Sequence, residues 1–265
     1  MTIPCAKPDH FPSLPQMGDT PAGLLLAAGL AGALAKTLFC VAKEESRYTL
    51  TALKLELHNS LFRLVATDGH RLSLVEGAAK PGATAEFHTL IPRSTARLLL
   101  HLLASRTAGW VELATGDHSL GFYLPDGSAL YGKAVTGQFP TYENVFPKAP
   151  VEATIAFDRA ELAAALAKAG PLVKKATNHP IKFSFDKVHP VLEPESESPT
   201  TPLDLVSARV SGKARPIGLD HSYLSDYVKS VDTETVTMNL FTPWISEVAL
   251  FHTFRYQHLL MPLRV

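Results

Sequence analysis

The spacing of apolar residues along the chain changes between a helical and a strand-like period. Over residues 22–42, leucines and alanines recur at steps of three and four, which predicts a helix. Apolar and polar residues then alternate over 48–57 and 61–67, and the polar tripeptide 58–60 between them indicates a hairpin. The first patterned block is therefore predicted to hold a helix followed by paired strands.

The same block continues with a second helix and further strands. Residues 93–104 have helical spacing and follow a proline, which is tolerated at the start of a helix. Strand-like runs at 110–115 and 120–123 flank a Gly-Asp turn. The turn-rich segment 137–142 is predicted to end the block.

The order of elements then repeats. Asp158 is placed to cap a helix, with Glu161 three residues later as its capping partner. The heptapeptide 162–168 of this helix has the same Ala-Leu spacing as residues 30–36. A strand, a helix and closing strands follow, at residues 181–185, 220–230 and 235–251. This shared order predicts a duplicated unit.

We therefore predict an α+β protein with two repeated domains, in which helices cover one face of antiparallel sheets. The predicted domains span residues 22–150 and 151–265, and the proline-rich residues 1–21 are expected to form a linker or arm. Residues 193–202 are acidic and rich in proline, and we expect them to form a surface loop.

Composition fits a folded protein and gives no global sign of a nucleic-acid partner. Hydrophobic residues make up 46% of the chain and charged residues 19%, so each domain can bury a core. The 25 basic and 25 acidic residues cancel, which leaves any DNA contact to cations gathered on one face. Cys5 and Cys40 have no metal or redox spacing and fit free thiols in a reducing cytosol. The apolar run 22–34 is too short to span a bilayer, so a cytoplasmic location without a membrane partner is expected.

The sequence LVATDGHRL at residues 64–72 is the most specific motif of the chain. Other short motifs stand in order with it, at residues 11–15, 47–50, 90–93, 137–142, 145–148 and 260–265. Together they resemble the bacterial DNA polymerase III beta subunits, the beta sliding clamps. The resemblance covers the second and third domains of that family, so it implies a clamp whose first domain is absent.

The resemblance implies a clamp-fold (DNA-clamp) replication protein that is an accessory subunit and not an enzyme, with no cofactor and no metal. The implied partners are DNA polymerase III, other proteins with clamp-binding peptide motifs, the clamp loader and double-stranded DNA. The family closes its ring by pairing the first domain of one chain with the third domain of the next. We therefore expect a monomer or weak self-association, with a ring of three chains as an open alternative.

A peptide groove between the two domains is also implied by the resemblance. Its aliphatic walls, methionine and few polar groups suit a short extended peptide with Leu or Phe anchors, although each apolar member could equally lie in a core. Asn144 departs from the family, where an arginine is common. The groove positions correspond to Leu50, Thr67, Gly69, His70, Arg71, Leu72, Pro140, Asn144, Val145, Tyr223, Met261, Pro262, Leu263 and Arg264.

The triplet Asp68, His70 and Arg71 admits two interpretations. An Asp and a His two residues apart could bind a metal or act in catalysis, but a metal site needs three or four ligands. The residues favour a tight turn, in which Asp68 caps the backbone and Gly69 takes a positive φ. An enzyme that uses this turn stays a minor alternative.

Basic residues on or beside the predicted helices are candidates for DNA contact, because helices line the hole of a clamp by resemblance and phosphate attraction is independent of sequence. Ordinary solvated charges are the alternative for any one of them. The basic candidates are Lys36, Lys43, Arg47, Arg93, Arg97, Arg106, Lys168, Lys174, Lys175 and Lys229. Tyr48 is a further candidate, which could stack on DNA or pack within a strand.

Three functions remain open on the sequence alone. The first is a sliding clamp, or processivity factor. The second is a module that binds clamp-binding peptides without encircling DNA, as a decoy or as a fragment of a longer clamp. The third is the enzyme built on the turn at residues 68–70.

Overall fold

The computed structural model describes residues 15, 17–18, 21–82, 86–174, 178–185, 188–195, 200–241 and 248–264. Within these ranges the chain is an α+β protein in two halves. The first half contains two helices, α1 (Ala27–Thr37) and α2 (Arg93–Leu103). Its strands are β1 (Gly23–Leu26), β2 (Ala52–His58), β3 (Leu61–Thr67), β4 (Arg71–Pro81), β5 (Glu86–Pro92), β6 (Trp110–Gly116), β7 (Ser119–Tyr123) and β8 (Ala129–Lys133).

The second half repeats this order. It contains the helices α3 (Arg159–Val173) and α4 (His221–Ser230). Its strands are β9 (Val151–Asp158), β10 (Pro180–Ser184), β11 (Val191–Pro194), β12 (Leu203–Asp204), β13 (Arg209–Gly212), β14 (Ile217–Asp220), β15 (Thr235–Phe241), β16 (Ala249–Thr253) and β17 (Tyr256–Leu260).

Strand pairing is also repeated between the halves. β1 lies between β4 and β6, and β9 lies in the same way between β13 and β15. β2 lies between β3 and β5, and β10 lies between β11 and β14. All of these pairs are antiparallel, so the predicted α+β class and the duplicated order are confirmed in this part of the chain.

The four helices form one layer on the sheets. α1 packs on α2, α3 packs on α4, and α1 also contacts α4, so the order across the layer is α2, α1, α4, α3. Each helix buries one apolar side, as α2 does with Ala96, Leu99 and Leu103. Among the described residues, no helix is long and apolar enough to cross a bilayer.

The two halves are joined by strand β4. β4 pairs along its length with β3, while its other edge is divided between β17 near Arg71 and β1 near Pro81. The register with β17 places Arg71 opposite Leu260 and Ser73 opposite His258. The sheets of the two halves are therefore hydrogen-bonded to each other at the junction.

A polar cluster is buried beneath this junction. The Ser73 hydroxyl lies 2.7 Å from His258 Nδ1 and 3.2 Å from Cys40 Sγ. The Tyr227 ring stacks on His258 with centroids 4.8 Å apart, and Tyr256 donates to the Lys36 carbonyl at 3.1 Å. Burial raises the pKa of the Cys40 thiol to about 12 and lowers the pKa of His258 well below its usual value. Both groups are therefore neutral near pH 7 and shielded from solvent.

Several local predictions are confirmed. α2 and α4 begin and end close to the predicted limits, and the hairpin between β2 and β3 turns at Asn59, which has a φ of 54°. Asp158 caps α3 by accepting from the Glu161 N–H at 2.8 Å. The Glu161 carboxylate accepts from the Ser207 N–H instead of completing the predicted capping box.

Three predicted segments are wrong in detail. Residues 23–26 form β1 and not the start of a helix, because pairing with β4 and β6 satisfies their backbone groups. Residues 48–51 belong to a 3-10 helix (Glu45–Thr51) and not to a strand. Glu193 and Pro194 end β11, so the predicted acidic loop begins later, and its residues 196–199 lie outside the described ranges. Residues 1–14 of the predicted arm, with Cys5, also lie outside them.

The buried, neutral His258 predicts a dependence of stability on pH. A histidine whose pKa is depressed on folding must take up a proton on unfolding at any pH below its ordinary value of 6.5. Stability should therefore fall as the pH decreases, by up to about 2 kcal/mol between about pH 7.5 and 5. The groups that face the ring are Cys40, Ser73, Arg71, Phe39, Tyr227 and Tyr256.

Urea unfolding at several pH values measures this contribution. His258→Asn should be less stable than the wild type near pH 7.5 but should lose much less stability on acidification. The control is His101→Asn, which changes an exposed histidine and should keep the wild-type slope. If the free energy of unfolding of His258→Asn fell with pH as steeply as that of the wild type, His258 would not be the source of the pH dependence.

Candidate functional site

The turn between β3 and β4 is fixed by hydrogen bonds from its own side chains. Asp68 Oδ1 accepts from the backbone N–H groups of His70 and Arg71, both at 3.0 Å. Thr67 Oγ1 donates to the Arg71 carbonyl at 2.7 Å and accepts from the Gly69 N–H at 3.1 Å. Gly69 has a φ of 92°, which favours glycine. The predicted capped turn is confirmed, and it holds His70 in a fixed position beside the junction.

Arg71 ties this turn to both halves of the chain. Its Nε donates to Asp68 Oδ2 at 3.0 Å, and its Nη2 donates to the Phe39 carbonyl at 2.6 Å. Its Nη1 donates across the junction to Asp226 Oδ2 at 2.7 Å, and the guanidinium lies 4.3 Å from the centre of the Tyr223 ring. The Arg71 side chain is 7% exposed, so these partners satisfy a buried charge.

An apolar groove of about 180 Å³ opens beside the turn at the junction. One wall is the segment around the short 3-10 helix Tyr142–Val145, and the opposite side is formed by the turn and by the start of β4. The second half contributes Val248, which precedes β16, Leu259 of β17, and Met261, which follows β17. The lining residues are Leu50, Thr67, Gly69, His70, Arg71, Leu72, Pro140, Thr141, Tyr142, Val145, Val248, Leu259 and Met261.

Two lining residues are exposed in spite of their apolar side chains. Val145 is 50% exposed and Met261 is 52% exposed, and they come from different halves of the chain. Leu72 and Leu259, which pair across β4 and β17, are buried beneath them. A groove with an apolar floor and exposed apolar rims can accept apolar side chains from a ligand.

A polar side pocket of about 270 Å³ adjoins the groove, and the two share His70 and Arg71. Tyr223 forms one wall, where its ring stacks on His70 with centroids 6.5 Å apart. Lys43 and Glu44 also line this pocket. Together the groove and side pocket offer apolar contacts next to polar and charged groups.

A tyrosine–glutamate contact supports the outer wall of the groove. Tyr142 donates to Glu56 Oε2 at 2.6 Å, and Lys54 Nζ lies 2.6 Å from Glu56 Oε1. Although burial opposes ionisation of Glu56, the hydrogen bonds from Lys54 and Tyr142 hold its pKa below the usual value. Burial and the Glu56 carboxylate raise the pKa of Tyr142, so its hydroxyl stays a donor.

Nine of the predicted groove positions line one cavity, namely Leu50, Thr67, Gly69, His70, Arg71, Leu72, Pro140, Val145 and Met261. Tyr223 lines the side pocket instead. Asn144 is exposed on the 3-10 helix of the wall, while Pro262, Leu263 and Arg264 follow Met261 beyond the groove lining. The Leu263 N–H donates to the Gly218 carbonyl at 2.8 Å, which anchors this last segment to β14.

Four lining residues were not predicted: Thr141, Tyr142, Val248 and Leu259. Tyr142 belongs to a motif that the sequence singles out. The partner of its hydroxyl, Glu56, is 86 residues away in the sequence, so no local pattern indicates this contact. Val248 and Leu259 reach the groove only through strand pairing across the junction, which spacing along the chain does not reveal.

The DNA-contact candidates have different surroundings. Lys36 and Arg106 form ion pairs, with Asp232 and Asp126, and Arg93 has its Nε buried. Lys43 lines the side pocket, and Tyr48 is 58% exposed on the 3-10 helix Glu45–Thr51. The Arg47 side chain and Lys175 lie outside the described part of the chain. The exposed basic residues of the helix layer are Arg97, Lys168, Lys174 and Lys229.

Within the described ranges, no group of three or more His, Cys, Asp or Glu side chains is arranged to hold a metal ion. Ser73, His258 and Cys40 come together but are completely buried, so a substrate has no access to them in this structure. The groove and its side pocket, in contrast, are accessible at the junction.

Known proteins are similar to this chain in sequence and in architecture. Residues 25–141 match the family described as DNA polymerase III beta subunit, central domain. A beta sliding clamp of Synechococcus elongatus is 28% identical over 244 residues, which cover 88% of this chain and 62% of the relative. A beta sliding clamp of Proteus mirabilis is 28% identical over 258 residues, which cover 93% of this chain and 65% of the relative.

Residues 25–141 are therefore similar to the central domain of the DNA polymerase III beta subunit, and most of the chain is similar to beta sliding clamps.

Solved structures of beta subunits have the same fold. The sliding clamp of Bacillus subtilis superposes with a TM-score of 0.86 at 20% identity, over 97% of this chain and 68% of that one. The beta subunit of Pseudomonas aeruginosa gives 0.85 at 24% identity, over 97% and 70%. The clamp fold is therefore confirmed. The chain spans less than two thirds of the length of the two curated relatives described above.

Because Arg71 is buried, its loss should lower the stability of the protein much more than the loss of an exposed arginine that also pairs with a carboxylate. Arg71→Ala should lower the free energy of unfolding by about 3–5 kcal/mol, because it leaves Asp68 and Asp226 without their buried partner. The matched control is Arg63→Ala. Arg63 lies 2.7 Å from Glu76 but its side chain is 50% exposed, so its loss should change stability by about 1 kcal/mol or less. Equal effects in urea unfolding would contradict the role of Arg71 at the junction.

Proposed function

We propose that this chain acts as a DNA sliding clamp, or as the corresponding part of one, and that its junction groove binds peptides of DNA polymerase III and other DNA-processing proteins. The observation that carries the proposal is the apolar groove formed by both halves in a chain that is similar to beta sliding clamps. In this proposal the two domains span 22–150 and 151–265, and the protein is a non-catalytic accessory subunit of the cytoplasm.

The chemistry of the groove supports an extended peptide as its ligand. Val145 and Met261 place exposed apolar atoms on both rims, and an unbranched methionine adapts to different side chains. The groove volume of about 180 Å³ fits one or two large apolar side chains and leaves the rest of a peptide on the surface. Binding energy concentrated in a few buried anchors is typical of such contacts.

The helix layer supports contact with duplex DNA. Arg97, Lys168, Lys174 and Lys229 expose their charges on or at the end of three of its helices. Contacts of this kind to phosphates are insensitive to base sequence and weaken with salt, as movement along DNA requires. The clamp loader would be a further partner of a complete ring.

A peptide-binding module that does not encircle DNA would use the same groove. This alternative predicts the same peptide affinity but no retention on closed circular DNA. Catalysis at the turn has less support, because Asp68 and Arg71 are already engaged in the contacts that fix the turn.

Loss of the rim side chains should weaken peptide binding. Val145→Ala and Met261→Ala should each raise the Kd of a short peptide with Leu and Phe anchors. Truncation of a residue that acts as a hot spot lowers the binding free energy by about 2 kcal/mol. Both residues are half exposed, so the fold should be preserved. Fluorescence anisotropy with labelled peptide measures the change.

The control for this experiment is Leu98→Ala. Leu98 is 47% exposed on α2, away from the groove, and its loss should leave the Kd unchanged. Equal Kd values for the wild type and the double variant of Val145 and Met261 would remove the groove from the proposal.

DNA binding should be weak, independent of sequence and strongly dependent on salt. Charge reversal of Arg97, Lys168 and Lys229 together should lower affinity for any duplex and reduce the slope of log K against log salt by about 1 for each lost phosphate contact. Lys213→Glu, which changes an exposed lysine outside the helices, should have a smaller effect. A site-specific footprint, or an affinity that salt leaves unchanged, would contradict this part of the proposal.

A further inference from the structure

A second cavity continues from the groove along the outer surface of the junction. It has a volume of about 590 Å³ and shares Tyr142 with the groove as a common wall. Its other walls include Arg63 of β3, Phe146 and Phe254. We call this cavity the trough. Because Tyr142 lines both cavities, a peptide bound in the groove has the trough as its neighbour.

The groove and the trough lie over the same face of the junction sheet. Alternate residues of a strand point to the same face and are about 7 Å apart, so every second residue of β4 and β17 contributes to this floor. The floor consists of three successive rows across the two strands: Leu72 with Leu259, Leu74 with Gln257, and Glu76 with Arg255. It is apolar under the groove and charged at the far end of the trough.

The far end of the trough carries an exposed aromatic residue and an arginine in a tight hairpin turn. Phe254 is 87% exposed at the tip of the hairpin between β16 and β17. Arg255 follows it with a φ of 58°, a conformation that favours glycine or asparagine, and its guanidinium lies 5.1 Å from the centre of the Phe254 ring. The turn explains the φ of Arg255, whereas the exposed Phe254 ring is an apolar surface available for contact.

The charges of the trough favour an acidic ligand at this end. Glu76 is paired with Arg63 at 2.7 Å, so these two largely neutralise each other. Glu143, on the 3-10 helix beside Tyr142, is a further acidic residue of the trough lining. At the hairpin end, Arg255 projects from the tip, next to the half-buried His252.

We propose that the trough binds the residues that flank the apolar anchors of the same peptide, and that it selects an acidic flank. This inference rests on the proposed peptide binding in the groove. The trough floor from Leu74 to Glu76 is about 7 Å long, so about two extended residues of the flank lie over it and the following ones reach the hairpin tip. Phe254 contacts their apolar atoms and Arg255 pairs with their carboxylates.

The test compares five peptides, an anchor peptide and four extended forms of it, on the whole chain by fluorescence anisotropy. The first carries only the Leu and Phe anchors, and the others add about four acidic or about four basic residues, each made with the extension at either end. At low salt, an acidic extension at one of the two ends should lower the Kd by about fivefold, and the gain should shrink at high salt. The basic extension should give no gain.

Two variants test whether the gain in affinity from the acidic extension comes from the trough. Phe254→Ala and Arg255→Gly should remove most of it while leaving the Kd of the anchor peptide unchanged. Glycine accepts the positive φ at position 255, so this variant should stay folded. The matched control is Arg209→Ala on the exposed strand β13, which should keep the full gain.

The outcomes separate the two proposals. If the anchor peptide binds but the acidic extension gives no gain, or gives a gain that both variants retain, the trough proposal is overturned and the groove stands. An equal gain from the basic extension also overturns it. If the wild type does not bind the anchor peptide, the groove is rejected and the trough with it.

Discussion

The antiparallel pairing of β4 with β17 is the contact on which the rest of the structure depends. It joins the sheets of the two halves and fixes their register, with Arg71 opposite Leu260 and Ser73 opposite His258. A shift by one residue would turn the Ser73 side chain to the other face and bring Leu72 or Leu74 into its place. The buried hydrogen bond between Ser73 and His258, and the contacts of Arg71 with Asp68 and Asp226, therefore favour a single register.

The candidate site is a direct result of this pairing. Its floor consists of side chains from both strands, and its rims come from different halves, with Val145 on one side and Met261 on the other. A continuous sheet holds the two halves, and with them the two rims, in fixed positions. The site therefore loses little conformational entropy when a peptide binds. The same face of the sheet extends under the trough, so one register determines the geometry of both cavities.

Local patterns predicted the elements whose cause is local. The cap of α3, the spacing of α2 and the Asp68 turn all depend on residues close together in the sequence. The pattern missed β4, β5 and β8 in the first half and β9, β11, β12, β13, β14 and β17 in the second, and it assigned β1 to a helix. In β4, alternation gives way to Gly-Ala-Ala after Glu76, and its place in the sheet is decided by β1, β3 and β17. Such pairings join residues that are far apart along the chain, which periodicity alone cannot indicate. Most of the groove was predicted through the family resemblance, whereas Val248 and Leu259 reach it only through pairing at the junction.

Methyl NMR of the methionines tests the central claim, that a peptide binds at the junction groove, most directly. The chain has four methionines, of which Met261 lies on the groove rim and Met238 is fully buried in the second half. Titration of a methyl-labelled sample with the anchor peptide should shift the Met261 signal progressively and leave the Met238 signal in place. A shift confined to methionines other than Met261, or binding that leaves the Met261 signal unchanged, would contradict the account.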